Sequence, residues 1–141
     1  MRTFTLSEAQ TLLPVLESLL RRAIAANAKA GTLEDEMQRL NQRIFLSGGM
    51  NVDVPHVARR RGERHIAIRE AKDTLNEIDS IGVQVKDLDT GLLDFPCMMD
   101  GEVVLLCWRL GEKSIDYWHS VEAGFSGRQL LDERFKGDKP Q

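Results

Sequence analysis

The chain has 141 residues, of which 42% are hydrophobic and 29% charged, with a formal net charge of -3 and a pI near 5.6. This composition is typical of a folded globular protein; it excludes an intrinsically disordered chain, and two cysteines exclude a disulfide framework. The acidic balance argues against a surface built mainly to bind phosphate backbones. We expect a single domain over residues 1–141 around one buried core.

The first residues do not have the pattern of a secretory signal peptide, so no targeting segment is expected there. The segment Met1–Leu6 lacks an apolar h-region, and the apolar residues that follow are interrupted by Ser7, Glu8 and Gln10. We therefore expect a cytoplasmic protein with reduced thiols and no association with membranes.

The first half of the chain has the apolar spacing of a long helix. Steps of four and three residues alternate along Leu12, Leu16, Leu19, Ala23, Ala26, Ala30, Leu33, Met37, Leu40 and Ile44. This spacing indicates a coiled-coil seam that faces a partner helix. Ser7 and Gln10 form a candidate capping box, and Ser47–Gly49 is a stop signal. Pro14 predicts either a bend before it or a straight rod that begins there, and Gly31 predicts a distortion.

A second helical run follows a break at Met50–Pro55. Its apolar residues include Ala58, Ile68, Ala71, Leu75, Ile78 and Ile81, and it ends before Gly82. Residues 6–82 are therefore predicted to form an antiparallel helical hairpin with arms of about 40 and about 25 residues. The longer arm would span roughly 60 Å, more than one small sheet covers. The remaining seam predicts self-association, most simply as a homodimer.

From Val83 the apolar period changes to two, which predicts an antiparallel β-meander of about four strands within residues 83–135 and hence an α+β fold. Asp100-Gly101 is typical of a two-residue hairpin turn. This turn places Asp94 opposite Cys107. One face of the hairpin then carries the apolar set that packs on the helices, namely Leu93, Phe95, Cys97, Val104, Leu106 and Trp108.

The register beyond Leu110 has two alternatives. If residues 111–114 form a four-residue loop, Arg109 opposes Asp116 and Cys107 opposes Trp118; this register is preferred. A slip by one residue instead places Cys107 beside His119. Residues 128–135 are expected to form a short helix, and residues 136–141 a frayed tail.

The polar residues of this half suggest a ligand-binding site at the edge of the sheet, made by Asp94, Arg109, Glu112, His119 and Arg128. A guanidinium group would recognise a small anion there. The alternative is an internal ion-pair network in which Asp94 and Asp116 neutralise Arg109, and this alternative is preferred.

Other chemistries have less support. His119 with Asp94, Glu112 and Asp116 offers metal-ligand types without a recognised metal motif, so no metal site, cofactor or catalytic residue is assigned. Cys107 meets a histidine base only in the slipped register. A bridge between Cys97 and Cys107 is disfavoured, because the turn places them on opposite faces.

Arginines 59, 60, 61, 64 and 69 invite a nucleic-acid interpretation. They are spread around the predicted helix and diluted by acidic residues that follow. A solvated helix face explains them better.

Several segments together resemble a family of small bacterial proteins known as domain of unknown function 2203. They are Gly91–Pro96, Leu106–Glu112, Trp118-His119, Gly124-Phe125 and Gly127-Arg128. The resemblance covers most of the chain and implies no reaction, substrate or catalytic residue.

The functional hypothesis from sequence is a non-enzymatic cytoplasmic interaction or scaffold protein that self-associates through its helices, with a protein partner as one option. The first alternative is a small-anion or metal-binding protein, or a hydrolase, with a pocket at the sheet edge. The second is a nucleic-acid-associated protein that uses the Arg59–Arg69 helix.

Overall fold

A computed structural model describes residues 2–49 and 52–136. Two long helices, α1 (Leu6–Leu46) and α2 (Val54–Ile81), precede a five-stranded antiparallel sheet. The strands are β1 (Gln84–Asp87), β2 (Leu92–Met99), β3 (Glu102–Arg109), β4 (Tyr117–Ser120) and β5 (Gln129–Leu130), and their order in the sheet follows the chain. The predicted α+β fold with a helical hairpin is confirmed. Within the described residues, neither helix combines the length and apolar character needed to cross a membrane.

Helix α1 begins two residues earlier than the predicted capping box. The Thr5 hydroxyl accepts a hydrogen bond from the backbone N–H of Glu8 at 3.2 Å, and the Glu8 carboxylate accepts one from the N–H of Thr5 at 3.0 Å. The prediction of a box at Ser7 and Gln10 was therefore wrong, because both residues already lie inside the helix. The cap belongs to the residue with extended backbone that precedes the first turn.

Helix α1 runs without interruption through Pro14 and Gly31. The helix therefore does not start near Pro14, and the distortion predicted at Gly31 does not end it. The Pro14 ring is exposed, while Leu13 and Leu16 on either side of it are buried in the core. The hydrogen bond that proline removes therefore lies on the solvent side, and burial of the opposite side holds the helix together.

Helix α2 includes the end of the predicted break. The Asp53 side chain accepts a hydrogen bond from the N–H of His56 at 3.1 Å, and Pro55 occupies the first turn. Proline is tolerated there because its missing N–H would have no partner inside the helix. Gly82 ends the helix with φ 104°, a conformation that favours glycine.

The hairpin between β2 and β3 has the predicted register. Asp100 and Gly101 have φ values of 52° and 80°, as a type I′ turn requires. Asp94 lies opposite Cys107 and Leu93 opposite Trp108. The face that carries Leu93 and Trp108 packs on the helices, in a core that includes Phe4, Leu16, Leu20, Phe95, Leu106 and Ile78.

Both predicted registers between β3 and β4 were wrong. Cys107 lies opposite Tyr117, and Leu105 opposite His119. The connection is longer than four residues, since β4 begins only at Tyr117. Within it, the Trp108 indole N–H donates to the carbonyl of Glu112 at 3.0 Å, and Ile115 turns into the core. These contacts draw extra residues into the loop and shift the register.

The predicted C-terminal helix is also absent from the described residues. Gln129 and Leu130 pair with β4 as a fifth strand, and residues 133–136 form a single 3-10 turn. So short a segment gains little from helical hydrogen bonds, whereas pairing satisfies the exposed backbone edge of β4. Residue 136 lies at the end of this turn, and the rest of the predicted tail, residues 137–141, lies outside the described residues.

Candidate metal centre

Asp94, Cys107 and His119 meet on the face of the sheet that points away from the helices. They come from β2, β3 and β4, three adjacent strands. Because Cys107 lies opposite both Asp94 and Tyr117, the alternation of side chains also brings His119 to this face. One nitrogen, oxygen or sulfur atom from each of the three side chains lies within 4.8 Å of the others. All three residues are buried, with exposed fractions of 2%, 1% and 2% for Asp94, Cys107 and His119.

Both ring nitrogens of His119 have partners. Nδ1 is 2.8 Å from the backbone carbonyl of Ser120, and Nε2 is 3.1 Å from Oδ1 of Asp94. A carbonyl oxygen only accepts hydrogen bonds, so Nδ1 carries a proton. In the neutral ring, Nε2 therefore presents its lone pair to the Asp94 carboxyl group. Two electron-rich atoms face each other there unless a cation or a second proton lies between them.

The buried setting favours the protonated forms of both acids. Burial raises the pKa of the Asp94 carboxyl, and the adjacent His119 offsets this only in part. Burial, together with the neighbouring Asp94 charge, raises the pKa of the Cys107 thiol to about 12. A thiol of that kind is not a nucleophile at neutral pH. Nδ1 of His119 donates to Ser120 and Nε2 faces Asp94 instead of the thiol, so Cys107 and His119 do not form a catalytic pair.

An ion pair borders the cluster. Nη2 of Arg128 donates to both carboxylate oxygens of Glu112, at 3.0 and 3.1 Å, and lies 3.5 Å from the carbonyl oxygen of Cys107. The Arg128 guanidinium also stacks over the Tyr117 ring at 3.8 Å and the Phe125 ring at 4.6 Å. Arg128 thus joins the segment after β4 to the outer face of the sheet.

The five residues predicted as a ligand site fall into two contacting pairs and one outlier. Asp94 contacts His119, and Glu112 contacts Arg128. The side chain of Arg109 is exposed and makes no ion pair within the described part of the chain. The network of Asp94, Arg109 and Asp116 is therefore absent there. The Asp94 carboxyl instead contacts His119. Asp116 lies before β4, where it accepts a hydrogen bond from Ser114 at 2.8 Å.

Cys107 is the member that sequence reasoning did not place in the site. The sequence suggests Cys107 only as a nucleophile or a disulfide partner, and its place beside His119 depends on the β3–β4 register, which was wrongly predicted. Cys97, by contrast, is buried on the helix-facing side of the same hairpin, and both thiols are free.

The arginines of α2 are partly engaged within the hairpin. Arg60 forms ion pairs with Glu36 of α1 at 3.3 Å and with Glu63 at 3.1 Å, and Arg64 pairs with Glu34 of α1. Charges that bridge the two helices are not available to a phosphate backbone, which weakens the nucleic-acid alternative.

Comparison with known proteins identifies the family. No curated protein and no solved structure matches the chain. The model of one family, described as an uncharacterized conserved protein, DUF2203, matches residues 2–131. Since the match covers both helices and all five strands, the chain belongs to the DUF2203 family.

Proposed function

We propose that this protein binds a transition-metal ion through Oδ of Asp94, Sγ of Cys107 and Nε2 of His119. The observation that carries the proposal is that one potential ligand atom from each of the three buried side chains lies within 4.8 Å of the others. One oxygen, one sulfur and one imidazole nitrogen are all ligands of zinc in proteins.

The orientation of His119 supports a metal ion over a structural hydrogen bond. Metal-binding histidines usually donate the N–H of the second ring nitrogen to a carbonyl or carboxylate, which fixes the ring and directs the other lone pair to the metal. The 2.8 Å contact between Nδ1 and the Ser120 carbonyl provides this arrangement. A divalent cation would neutralise the buried carboxylate and convert the thiol to a bound thiolate.

The geometry suits a small ion with tetrahedral coordination. With bonds of about 2.0–2.3 Å, the edges of a tetrahedral zinc site are roughly 3.3–3.6 Å long. The 3.1 Å between Oδ1 of Asp94 and Nε2 of His119 is close to this value, so these two ligands are already near the separation that a tetrahedral site requires. Three protein ligands leave a fourth position for water or another small ligand.

The burial of the ligands favours a structural role. Their exposed fractions of 1–2% leave no open path for a substrate in this conformation. A bound ion would link β2, β3 and β4 through one ligand from each strand. We therefore propose a metal-stabilised, non-catalytic protein, placed in the cytoplasm, where thiols remain reduced and available as ligands.

Cobalt(II) substitution tests the site, because a thiolate ligand gives Co²⁺ a sulfur-to-metal charge-transfer absorption. The purified protein is treated with a chelator, dialysed and titrated with CoCl₂ and then ZnCl₂. We expect one ion per chain, a charge-transfer band, and displacement of cobalt by zinc. The Cys107→Ser variant should lose the band, and Cys97→Ser should keep it, since Cys97 is an equally buried thiol on the opposite face of the sheet.

The competing explanation is a proton shared between Asp94 and His119. If the wild-type protein binds neither cobalt nor zinc while remaining folded by circular dichroism, the proton explanation stands and the metal proposal fails. Equal loss of the band in both cysteine variants would place the metal elsewhere.

The second candidate function is self-association through the helical hairpin, as an interaction or scaffold protein. It is favoured by exposed apolar side chains at the far end of the hairpin, where Phe45, Leu46 and Val54 are 82%, 77% and 65% exposed. Side chains of this kind are common at protein interfaces when they cluster. Sedimentation velocity should show a concentration-dependent dimer, and a monomer at every concentration would remove this candidate.

A further inference from the structure

The exposed face of α2 carries charges that the rest of the described chain leaves unpaired. Arg60 and Arg64 point toward α1 and bind its glutamates. Arg59, Arg69 and Asp73 are exposed and make no ion pair within residues 2–49 and 52–136. The arginines that face α1 are therefore paired with its glutamates, whereas the charged residues on the opposite, exposed face remain available to a partner.

These outer residues lie along one stripe of the helix. Arg59, Gly62, Ile66, Arg69 and Asp73 are separated by alternating steps of three and four residues, the spacing of a seam that contacts another helix. Ile66 is 66% exposed, although it is one of the large apolar residues of α2. A side chain added at Gly62 would meet no atom within 4 Å, so another helix backbone can approach closely there.

The charges are divided between the two ends of α2. Residues 54–69 contain five arginines and one glutamate, whereas residues 70–81 contain four acidic residues and one lysine. Two copies of α2 in parallel would bring like charges together. Two copies in antiparallel orientation would place the basic half of each over the acidic half of the other.

We propose that a second copy of this chain docks antiparallel on this face of α2, with the twofold axis close to Ile66. This inference rests on the self-association proposed above and assigns it to a surface of α2 that is separate from the exposed apolar end of the hairpin. Arg59 and Asp73 are each seven residues from Ile66, so Arg59 of one copy lies opposite Asp73 of the other. Ile66 meets its own counterpart at the centre.

The chemistry of the surface favours a second copy over a nucleic acid. A phosphate backbone needs a continuous basic track, and the arginines of α2 are followed on the same helix by Glu70, Asp73 and Glu77. In a twofold dimer, basic residues of one copy meet acidic residues of the other, and symmetry makes each such contact occur twice.

The size of the surface determines how tightly two copies are expected to bind. The stripe from Arg59 to Asp73 is roughly 21 Å long at about 1.5 Å per residue, which places the contact at the low end of specific interfaces. Its charged residues are exposed, so salt screens the attraction between the two copies. We expect a dimer with a dissociation constant in the micromolar range or weaker, and weaker still at high ionic strength.

Sedimentation equilibrium on the full chain, in low and high salt, tests the surface with charge-reversal variants. Arg59→Asp and Asp73→Arg should each weaken dimerisation by about tenfold or more, because each reversal replaces two attractive pairs with two repulsive ones. The double variant restores both pairs with reversed polarity and should return to within about threefold of the wild type. Arg61→Asp makes the same charge change on an exposed residue off the stripe and should leave dimerisation unaltered.

The outcomes separate this surface from self-association in general. A wild-type monomer at all concentrations overturns both. A dimer that none of the variants changes overturns the α2 surface alone. Weakening by both single variants without recovery in the double variant overturns the antiparallel register about Ile66.

Discussion

Asp94 and His119, 25 residues apart in the chain, meet with 3.1 Å between Oδ1 and Nε2 in a site from which water is almost excluded. They are too far apart along the chain for local structure to bring them into contact. Two strand pairings, Asp94 with Cys107 and Leu105 with His119, bring them together. The contact therefore depends directly on the registers of β2 with β3 and of β3 with β4.

Replacement of His119 by alanine should destabilise the protein. The substitution leaves the Asp94 carboxyl buried without its partner, and loss of one member of a buried pair costs about 3 kcal/mol. If a metal is bound, the loss should be larger in zinc than in chelator, because the ion stabilises only the folded state. Urea unfolding in both conditions measures the two contributions. His65→Ala, an exposed histidine of α2, should change the unfolding free energy by less than about 0.5 kcal/mol in either condition.

Replacement of Arg128 by alanine should loosen the segment that follows β4. The change removes the ion pair with Glu112 and the stacking on Tyr117 and Phe125. These contacts are partly buried, so we expect a loss of about 1–2 kcal/mol in unfolding free energy. Amide hydrogen exchange should rise in residues 121–131. Arg128→Lys keeps the charge without the planar fork, and a lysine variant as stable as the wild type would contradict the stacking explanation.

The part of the fold that could be predicted from sequence is the part that local chemistry specifies. The apolar seam of α1 and the Asp100-Gly101 turn each depend on residues adjacent in the chain. They yielded the helical hairpin and the full β2–β3 register, including Asp94 opposite Cys107.

The remainder depends on contacts between distant residues. The β3–β4 register follows from the loop that Trp108 and Glu112 hold together through a hydrogen bond, and turn propensity does not encode that contact. A different number of residues in this loop changes which side of the sheet His119 occupies. The association of Cys107 with Asp94 and His119 therefore could not be assigned, although four of the five predicted site residues lie around it.

The position of the α1 cap has a direct test. Thr5→Ala removes the hydroxyl that accepts from the Glu8 N–H and should cost about 1 kcal/mol. Ser7→Ala, at the residue that the sequence pattern favoured, should be nearly neutral because Ser7 is exposed inside the first turn. Thermal unfolding of the two variants distinguishes the two caps. A larger loss for the Ser7 variant would contradict the observed helix start.

Two glycines should respond to alanine in opposite directions. Gly31 is exposed in the middle of α1, and an added Cβ meets no atom within 4 Å. Gly31→Ala should therefore stabilise the protein by about 0.5–1 kcal/mol, because alanine restricts the unfolded chain and has the higher helix propensity. Gly91 has φ 75°, and a Cβ there would lie 2.6 Å from Cβ of Leu110.

The Gly91→Ala variant combines backbone strain with that collision, so it should lose at least about 2 kcal/mol. Urea unfolding of both variants beside the wild type provides the comparison. A stabilised Gly91 variant would mean that the β1–β2 connection does not pack against Leu110.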